Sequence, residues 1–397
     1  MRAIITSFGT TGDILPLCAL ALELRQHGHR PVVMFPSHFA PLAQKLDLEF
    51  APYGPDVADI HHEIIKAQMS GPLAEDKLRS LFVQLGQATP RAFSDLSVVC
   101  RNADVLICSN ELPNQPPLGL MVHETTRIPF VSVQLCYPYE DNSPYLAEGV
   151  AAINRFRGFL RLPPIQANGP NDTNISPQLA LFALSRHIYP PRPTWPAHCH
   201  VTGFFFAEDG PWEPDPSLTA FLEDGQPPVF LTFGSMINED PSALSKLIAE
   251  AIRRAGCRAI VQTGWGGLSI EPERASNIYQ IGFAPHSSLF PRAACVVHHG
   301  GAGTSAATFR AGVPSVVVPH LGDQFELARC AYEEGCSAAP LPFAELTAER
   351  LSASIKEVLS DERYQQSARS LQDKLLEENG VQTARRLIEQ LLERCKG

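Results

Sequence analysis

The feature that most constrains this sequence is the run Cys295-Val-Val-His-His-Gly-Gly-Ala-Gly-Thr-Ser-Ala-Ala-Thr-Phe-Arg-Ala-Gly-Val-Pro314. Its start is a short apolar stretch that predicts a buried strand, and its second half predicts a helix. Between them Gly300, Gly301 and Gly303 let the backbone come close to a ligand. The N–H groups that open the helix near Thr304 lack intrahelical acceptors and stand at the positive end of its dipole, which makes the turn an anion site. Gly312 stops the helix and Pro314 prevents its continuation. A diphosphate held at the C-terminal edge of a parallel sheet fits this strand, loop and helix. His299 stands at the mouth of the loop, where its imidazole can donate to a phosphate oxygen and, if charged, balance a departing diphosphate. The alternative for His299 is a packed strand-end residue. His298, one position earlier, faces the other way and reads as core.

The same alternation of strand and helix recurs through the chain. Residues 2 to 8, Pro31 to Phe35, Val105 to Ser109 and Phe130 to Leu135 read as strands. Leu15 to His27, closed by Gly28, and a segment starting near His38 read as helices. From about 140 to 195 the chain is rich in Pro, Asn and aromatic residues and loses clean periodicity. After Glu208-Asp-Gly-Pro-Trp-Glu-Pro-Asp-Pro216, the plan restarts with strands at Pro228 to Phe233, Ala259 to Thr263, Ile278 to Ile281, Cys295 to His298 and Ser315 to Val318. A length of 397 residues allows two such domains. The expected class is α/β, with two Rossmann-like, doubly wound parallel sheets. The expected domains are 1–207, which binds the acceptor, a linker at 208–227, and 228–375, which binds the nucleotide. A C-terminal helix at 376–397, set off near Gly380, is expected to cross back to the first domain.

A net charge of −10 argues against nucleic acid or an anionic membrane as a standing partner. Ten cysteines without a CxxC pair, mostly within apolar runs, read as reduced core residues of a cytoplasmic protein. No apolar run reaches the roughly 18 residues of a membrane span, which leaves only peripheral membrane contact open. His198-Cys199-His200 is a poor metal site because neighbouring strand residues face opposite ways. No D-x-D pair offers a carboxylate clamp for a divalent ion, so neither metal nor other cofactor is expected.

Several motifs occur together and in order. They are Gly9-Thr-Thr-Gly-Asp13, Phe233-Gly-Ser-Met236, Gly264-Trp265, Gly282-Phe-Ala-Pro-His-Ser-Ser-Leu-Phe-Pro291, His298-His-Gly-Gly-Ala-Gly-Thr304, Ala311-Gly-Val-Pro314 and Pro319-His-Leu-Gly-Asp-Gln324. With them the sequence resembles the inverting, GT-B type family 1 glycosyltransferases, closest to the bacterial antibiotic and sterol glucosyltransferase branch. The resemblance implies two domains facing across a cleft, a nucleotide diphosphate sugar as donor, UDP-glucose first among them, and a metal-independent transfer. It places Phe283 under the nucleotide base, with the backbone of Ala284 on the base edge and Trp265 nearby. Ser235, His299, Gly301, Gly303 and Thr304 fall on the diphosphate, and Asp323 and Gln324 on the donor sugar. A helix N-cap is the other reading of Asp323. Where plant relatives hold the ribose with a glutamate this chain has Ala307, and where bacterial relatives carry an arginine it has Thr11.

Transfer by displacement needs a base for the acceptor hydroxyl. Plant relatives place a histidine at the position of Phe8, which cannot accept a proton, so the resemblance points to Asp13, with a helix cap as the alternative. Glu111 and His123 are the reserve candidates. Gly12 and Tyr137 are expected on the acceptor side. Aromatic residues including Phe82, Tyr139, Phe156 and Phe159 point to a small apolar acceptor such as a sterol, terpenoid, polyketide or phenol. An NAD-dependent oxidoreductase is disfavoured because strand 2 ends Phe35-Pro36-Ser37, without the acidic residue that binds ribose. The remaining rival is a non-catalytic sugar-nucleotide-binding or helper protein of the same fold.

Overall fold

The structure, a computed structural model, describes residues 1–53, 63, 66–67, 75–109, 117–136, 146–165, 175–206, 212–238, 240–264, 267–270 and 277–396. The chain forms two compact units, Met1–Ala207 with Glu378–Gly397, and Glu208–Glu377.

In the first unit the elements are β1 (Arg2–Thr6), α1 (Thr11–Gln26), β2 (Arg30–Phe35), α2 (Ala40–Lys45), β3 (Glu49–Pro52), α3 (Glu75–Cys100), β4 (Val105–Ser109), α4 (Leu118–Thr126), β5 (Phe130–Gln134), α5 (Leu146–Phe159), β6 (Leu179–Phe182) and β7 (Cys199–Val201). The strands form one parallel sheet in the order β3-β2-β1-β4-β5-β6-β7. Both faces are covered, which is why β1, β4 and β5 are apolar almost throughout rather than alternating. One face packs Ile5, Ile107 and Val131 against α1, and the other packs Ile4, Leu106 and Phe130 against α3 and α4.

The second unit runs α6 (Pro216–Glu223), β8 (Val229–Thr232), α7 (Pro241–Ala255), β9 (Ala259–Gln262), β10 (Ile278–Ile281), α8 (His286–Leu289), β11 (Cys295–His298), α9 (Ala302–Ala311), β12 (Ser315–Val317), α10 (Gln324–Glu333), α11 (Ala348–Ser360) and α12 (Glu362–Leu376). Its sheet is again parallel, in the order β10-β9-β8-β11-β12. The α/β class and the strands read from the sequence are therefore as expected. Three differences stand out. The stretch from 140 to 195 contributes α5 and β6, and β6 with the following β7 completes the first sheet. The segment 208–227, expected as a linker, contains α6: the Asp215 carboxylate accepts the N–H groups of Ser217 and Leu218 at 2.9 Å, Pro216 starts the helix, and Leu218 is buried. All ten cysteines are free, but Cys395 is exposed rather than core.

The last helix, α13 (Gly380–Lys396), belongs to the first unit. Ala384, Ile388, Leu391 and Leu392 recur at helical spacing and lie in the core that contains Leu17 and Leu20 of α1. Its other contacts are polar. Arg385 donates to the largely buried Glu23 at 3.0 Å, and Glu389 pairs with His29 at 2.8 Å. Gly380 packs where a Cβ would fall 2.3 Å from the Gly203 carbonyl, so the helix enters through a gap only glycine fits. Ile388→Ala is expected to destabilise the first unit by about 2–4 kcal/mol, the range for deleting a buried aliphatic chain. Urea unfolding of the full chain checks this, and a loss under about 1 kcal/mol on the same scale would show that α13 lies on the core rather than in it.

Candidate active site

In the second unit, the loops that leave the C-terminal ends of β9, β8 and β11 come together, and the packing shows how tightly. A Cβ built on Gly264 would lie 2.7 Å from the Gly234 carbonyl, and one on Gly234 would lie 2.8 Å from Cε1 of His299. One on Gly301 would lie 2.3 Å from Nε2 of the same ring. One on Gly300 would meet the Gln324 carbonyl and Val317 at 2.9 Å. Gly234, Gly264 and Gly300 also have positive φ, at 57°, 57° and 86°. The His299 imidazole is thus held between Gly234 and Gly301, with Ser235 half-exposed beside it.

Gly301 is the N-cap of α9, and no side chain caps this helix. The ladder begins only with Ser305 N–H on the Gly301 carbonyl at 2.9 Å. The N–H groups of Ala302, Gly303 and Thr304 therefore have no acceptor within the helix. Gly303 is exposed, with open space where a side chain would be. The motif glycines differ in purpose: Gly300 and Gly301 make room for protein atoms, and Gly303 leaves room for something else.

His299 is 7% exposed and its Nδ1 has no partner. Burial, and then its neighbours His298, His320 and His286, hold its pKa well below the ordinary value. The neutral imidazole is therefore the favoured form of His299. His320, which no motif reading assigned, is similar. Its Nδ1 donates to the Val318 carbonyl at 2.8 Å, its ring stacks on Phe343 at 4.2 Å, and burial lowers its pKa to about 4.

The remaining donor-side residues divide. Phe283 is 79% exposed next to the buried Ala284, which leaves a ring face open for stacking. Ala307 offers no polar group on α9. Asp323 is at the N-cap of α10, but its carboxylate makes no bond to the first turn, so the capping alternative is not what holds it. Gln324 is turned inward: its Oε1 accepts from the N–H groups of His320 and Leu321 at 2.8 and 3.2 Å, and Nε2 lies 3.4 Å from Met236 Sδ. The Gln324 carbonyl oxygen thereby organises the His320 turn. Trp265 lies outside the described residues.

In the first unit Asp13 occupies the third position of α1, and its Oδ2 accepts the Thr10 N–H at 2.7 Å and the Thr10 hydroxyl at 3.1 Å. A Cβ at Gly9 would overlap the carboxylate, at 2.1 Å from Oδ2. Desolvation by burial raises its pKa, against the lowering effect of the Thr10 bonds. Gly12 is exposed next to it. Phe8 is buried against Tyr53, with ring centroids 4.1 Å apart. His123, the reserve candidate, is half-buried, and its Nδ1 donates to the Ile128 carbonyl at 2.7 Å, which ties it to the turn after α4 and leaves the Nε2 lone pair as its acceptor. Phe156 packs edge-on against Phe93, at 5.7 Å, and Phe159 is largely exposed. Tyr137, Tyr139, Glu111 and the Phe82 side chain lie outside what is described.

The two parallel sheets, with an uncapped, glycine-lined helix start in one and a carboxylate after β1 of the other, define the class of GT-B glycosyltransferases. The solved glycotransferase of kitacinnamycin aligns with 98% of this chain and 99% of its own at a TM-score of 0.78 and 19% identity. A Streptomyces sp. SF2575 glycosyltransferase complexed with thymidine diphosphate aligns over 98% and 99% at 0.68 and 21%. The family described as erythromycin biosynthesis protein CIII-like, C-terminal domain, matches residues 270–390. O-mycaminosyltylonolide 6-deoxyallosyltransferase of Streptomyces fradiae is 31% identical over 94% of this chain and 93% of its own. A sterol 3-beta-glucosyltransferase of Arabidopsis thaliana is 30% identical over 91% of this chain, which spans 63% of that longer protein. The chain belongs to the family 1 glycosyltransferases, among the antibiotic and sterol glycosyltransferases.

Three buried neutral histidines make the second unit acid-sensitive. Their folded pKa values lie below the unfolded value, near 3 for His298, near 4 for His320 and well below 6.5 for His299. The unfolded chain thus binds protons that the folded chain refuses, and stability is lost as pH falls below about 6.5. Each histidine is expected to cost up to about 1.4 kcal/mol by pH 5.5, above the range where carboxylates titrate. Urea unfolding at pH 7 and 5.5 measures it, and equal midpoints would refute it.

Proposed function

We propose that the chain transfers a hexose from a nucleoside diphosphate sugar to a hydroxyl of a small apolar acceptor, with inversion and without a metal. The observation that carries the reading is the convergence of Gly234, His299, Gly300 and Gly301 on the uncapped start of α9. That arrangement presents a cluster of uncharged N–H donors to a diphosphate. Exposed Phe283 suits the nucleotide base and half-exposed Asp323 the sugar hydroxyls. Likeness to the sterol glucosyltransferases favours UDP-glucose, and the thymidine diphosphate held by a structural relative makes a TDP-sugar the donor to test beside it. The apolar acceptor agrees with the sterol in the name of the Arabidopsis thaliana relative.

In this reaction Asp13 takes the acceptor proton. The Thr10 bonds end on Oδ2 and fix the carboxylate, which leaves Oδ1 for the acceptor hydroxyl. Desolvation makes the carboxylate more basic than an ordinary aspartate, which suits it to the task. The leaving diphosphate is stabilised by the α9 N–H groups and His299, and activity is expected to persist in excess EDTA.

Asp13→Asn should lower kcat by about 10² to 10⁴-fold, the usual contribution of a general base. The donor is bound by the other unit, so its dissociation constant should change little. Since Asp13 must be ionised and its pKa is raised, the acid limb of the kcat/KM profile should lie above the ordinary aspartate value near 3.9. Retention of a third of wild-type kcat in Asp13→Asn would leave the helix cap as the role of Asp13. His299→Ala should cost about 10²-fold in turnover, the scale for losing one donor to a developing charge. Initial rates with UDP- and TDP-sugars against a panel of hydroxylated acceptors test both, and a loss under about threefold would remove His299 from the site.

A further inference from the structure

His298 is fully buried at the end of β11, and the proposed reaction gives it no role. Its Nδ1 accepts the N–H of Gly300 at 3.1 Å. The proton of the neutral ring therefore sits on Nε2, which finds no partner. A buried imidazole with one nitrogen orphaned costs stability. Packing alone does not account for a histidine at this place.

What the imidazole supplies is an acceptor inside the protein for an amide that an aliphatic chain would leave without one. Gly300 needs it. Its φ is 86°, and its Cα is wedged against the Gln324 carbonyl and Val317. The peptides on either side of Gly300 carry His299 and Gly301, whose packing fixes the phosphate-facing loop. We propose that His298 is a positioning residue for donor binding: by holding the Gly300 N–H inward, its Nδ1 locks the loop in the conformation that seats His299 between Gly234 and Gly301. Burial, with His286 as a lesser influence, pushes the His298 pKa to about 3, so the Nδ1 lone pair stays available at working pH. The proposal rests on the donor reading given above.

The contrast among three substitutions tests it. In His298→Asn the side-chain oxygen can stand where Nδ1 stands, in His298→Gln the amide reaches one bond further, and His298→Leu has no acceptor. Two readouts are needed: calorimetric binding of UDP and TDP, and hydrogen exchange of the Gly300 amide by NMR. Leu and Gln are expected to weaken the nucleoside diphosphate by about tenfold and to speed Gly300 exchange by a similar factor, the scale of one hydrogen bond. Asn should stay within about threefold of wild type on both, on that scale. Equal losses in Asn and Leu, or unchanged Gly300 exchange in Leu, would overturn the proposal, as would faster exchange with unchanged binding. Should Leu fail to fold, Asn against Gln carries the same contrast. If the wild type binds neither UDP nor TDP, it is the donor reading that fails, and Gly300 exchange alone decides whether His298 holds the loop.

Discussion

The second unit depends on how closely backbone can approach backbone at the ends of neighbouring parallel strands. β9, β8 and β11 are adjacent and end on the same edge, so the chain leaving each must pass within van der Waals reach of the next. Gly264 lies against the Gly234 carbonyl, Gly234 against His299, and Gly301 against the same ring. A side chain at any of these positions would displace a neighbour and, through it, the next loop. Two of these strand-end glycines, Gly234 and Gly264, also occupy left-handed φ, so their lack of a Cβ serves twice. The result is a rigid arc of amides with one imidazole in it, delivered to the start of α9 without any side-chain cap.

This arc is designed around neutrality. The chain carries a net charge of −10, and a diphosphate is itself anionic. Fixed cations would bind it strongly, but they would also hold the product. Under the proposed reaction the donors are peptide N–H groups, the helix dipole and an imidazole kept neutral by burial. Preorganised dipoles cost no reorganisation when charge develops on the leaving group. The burial that keeps His299 neutral also places it beside His298 and His320, so acid sensitivity and a pre-aimed donor have one cause.

Legibility in the sequence followed the local signals. The strand, glycine loop and helix of 295–314 could be read because each part has its own chemistry, and both sheets follow from apolar runs alternating with helices. The region from 140 to about 201 could not be read this way. β6 is only Leu179–Phe182 and β7 only Cys199–Val201, too short to show a period, and both exist because they can pair onto the growing edge after β5. α6 was hidden by prolines, which read as a linker although Pro216 opens a helix capped by Asp215. Within the candidate site, the packing and orientation of the side chains were not legible. Gln324 sits in the right turn but spends its carbonyl on the His320 backbone. The separate uses of Gly300, Gly301 and Gly303 appear only when the packing around each is known.

Asp13 shows why a cap and a base need not be rival readings of one carboxylate. A cap bond stabilises the ionised form and lowers basicity, which taken alone would make a poorer base. Desolvation acts the other way, and at Asp13 it is the larger effect, so the carboxylate is both fixed in place and more basic than in water. The geometry allows this because the Thr10 bonds use Oδ2, and because Gly9 has no Cβ to push the carboxylate off the loop. With Phe8 packed on Tyr53, the loop after β1 has no histidine to share the work. Under the proposed reaction the cap is what aims the base: it removes the rotational freedom that a carboxylate on a free side chain would have to give up at each turnover.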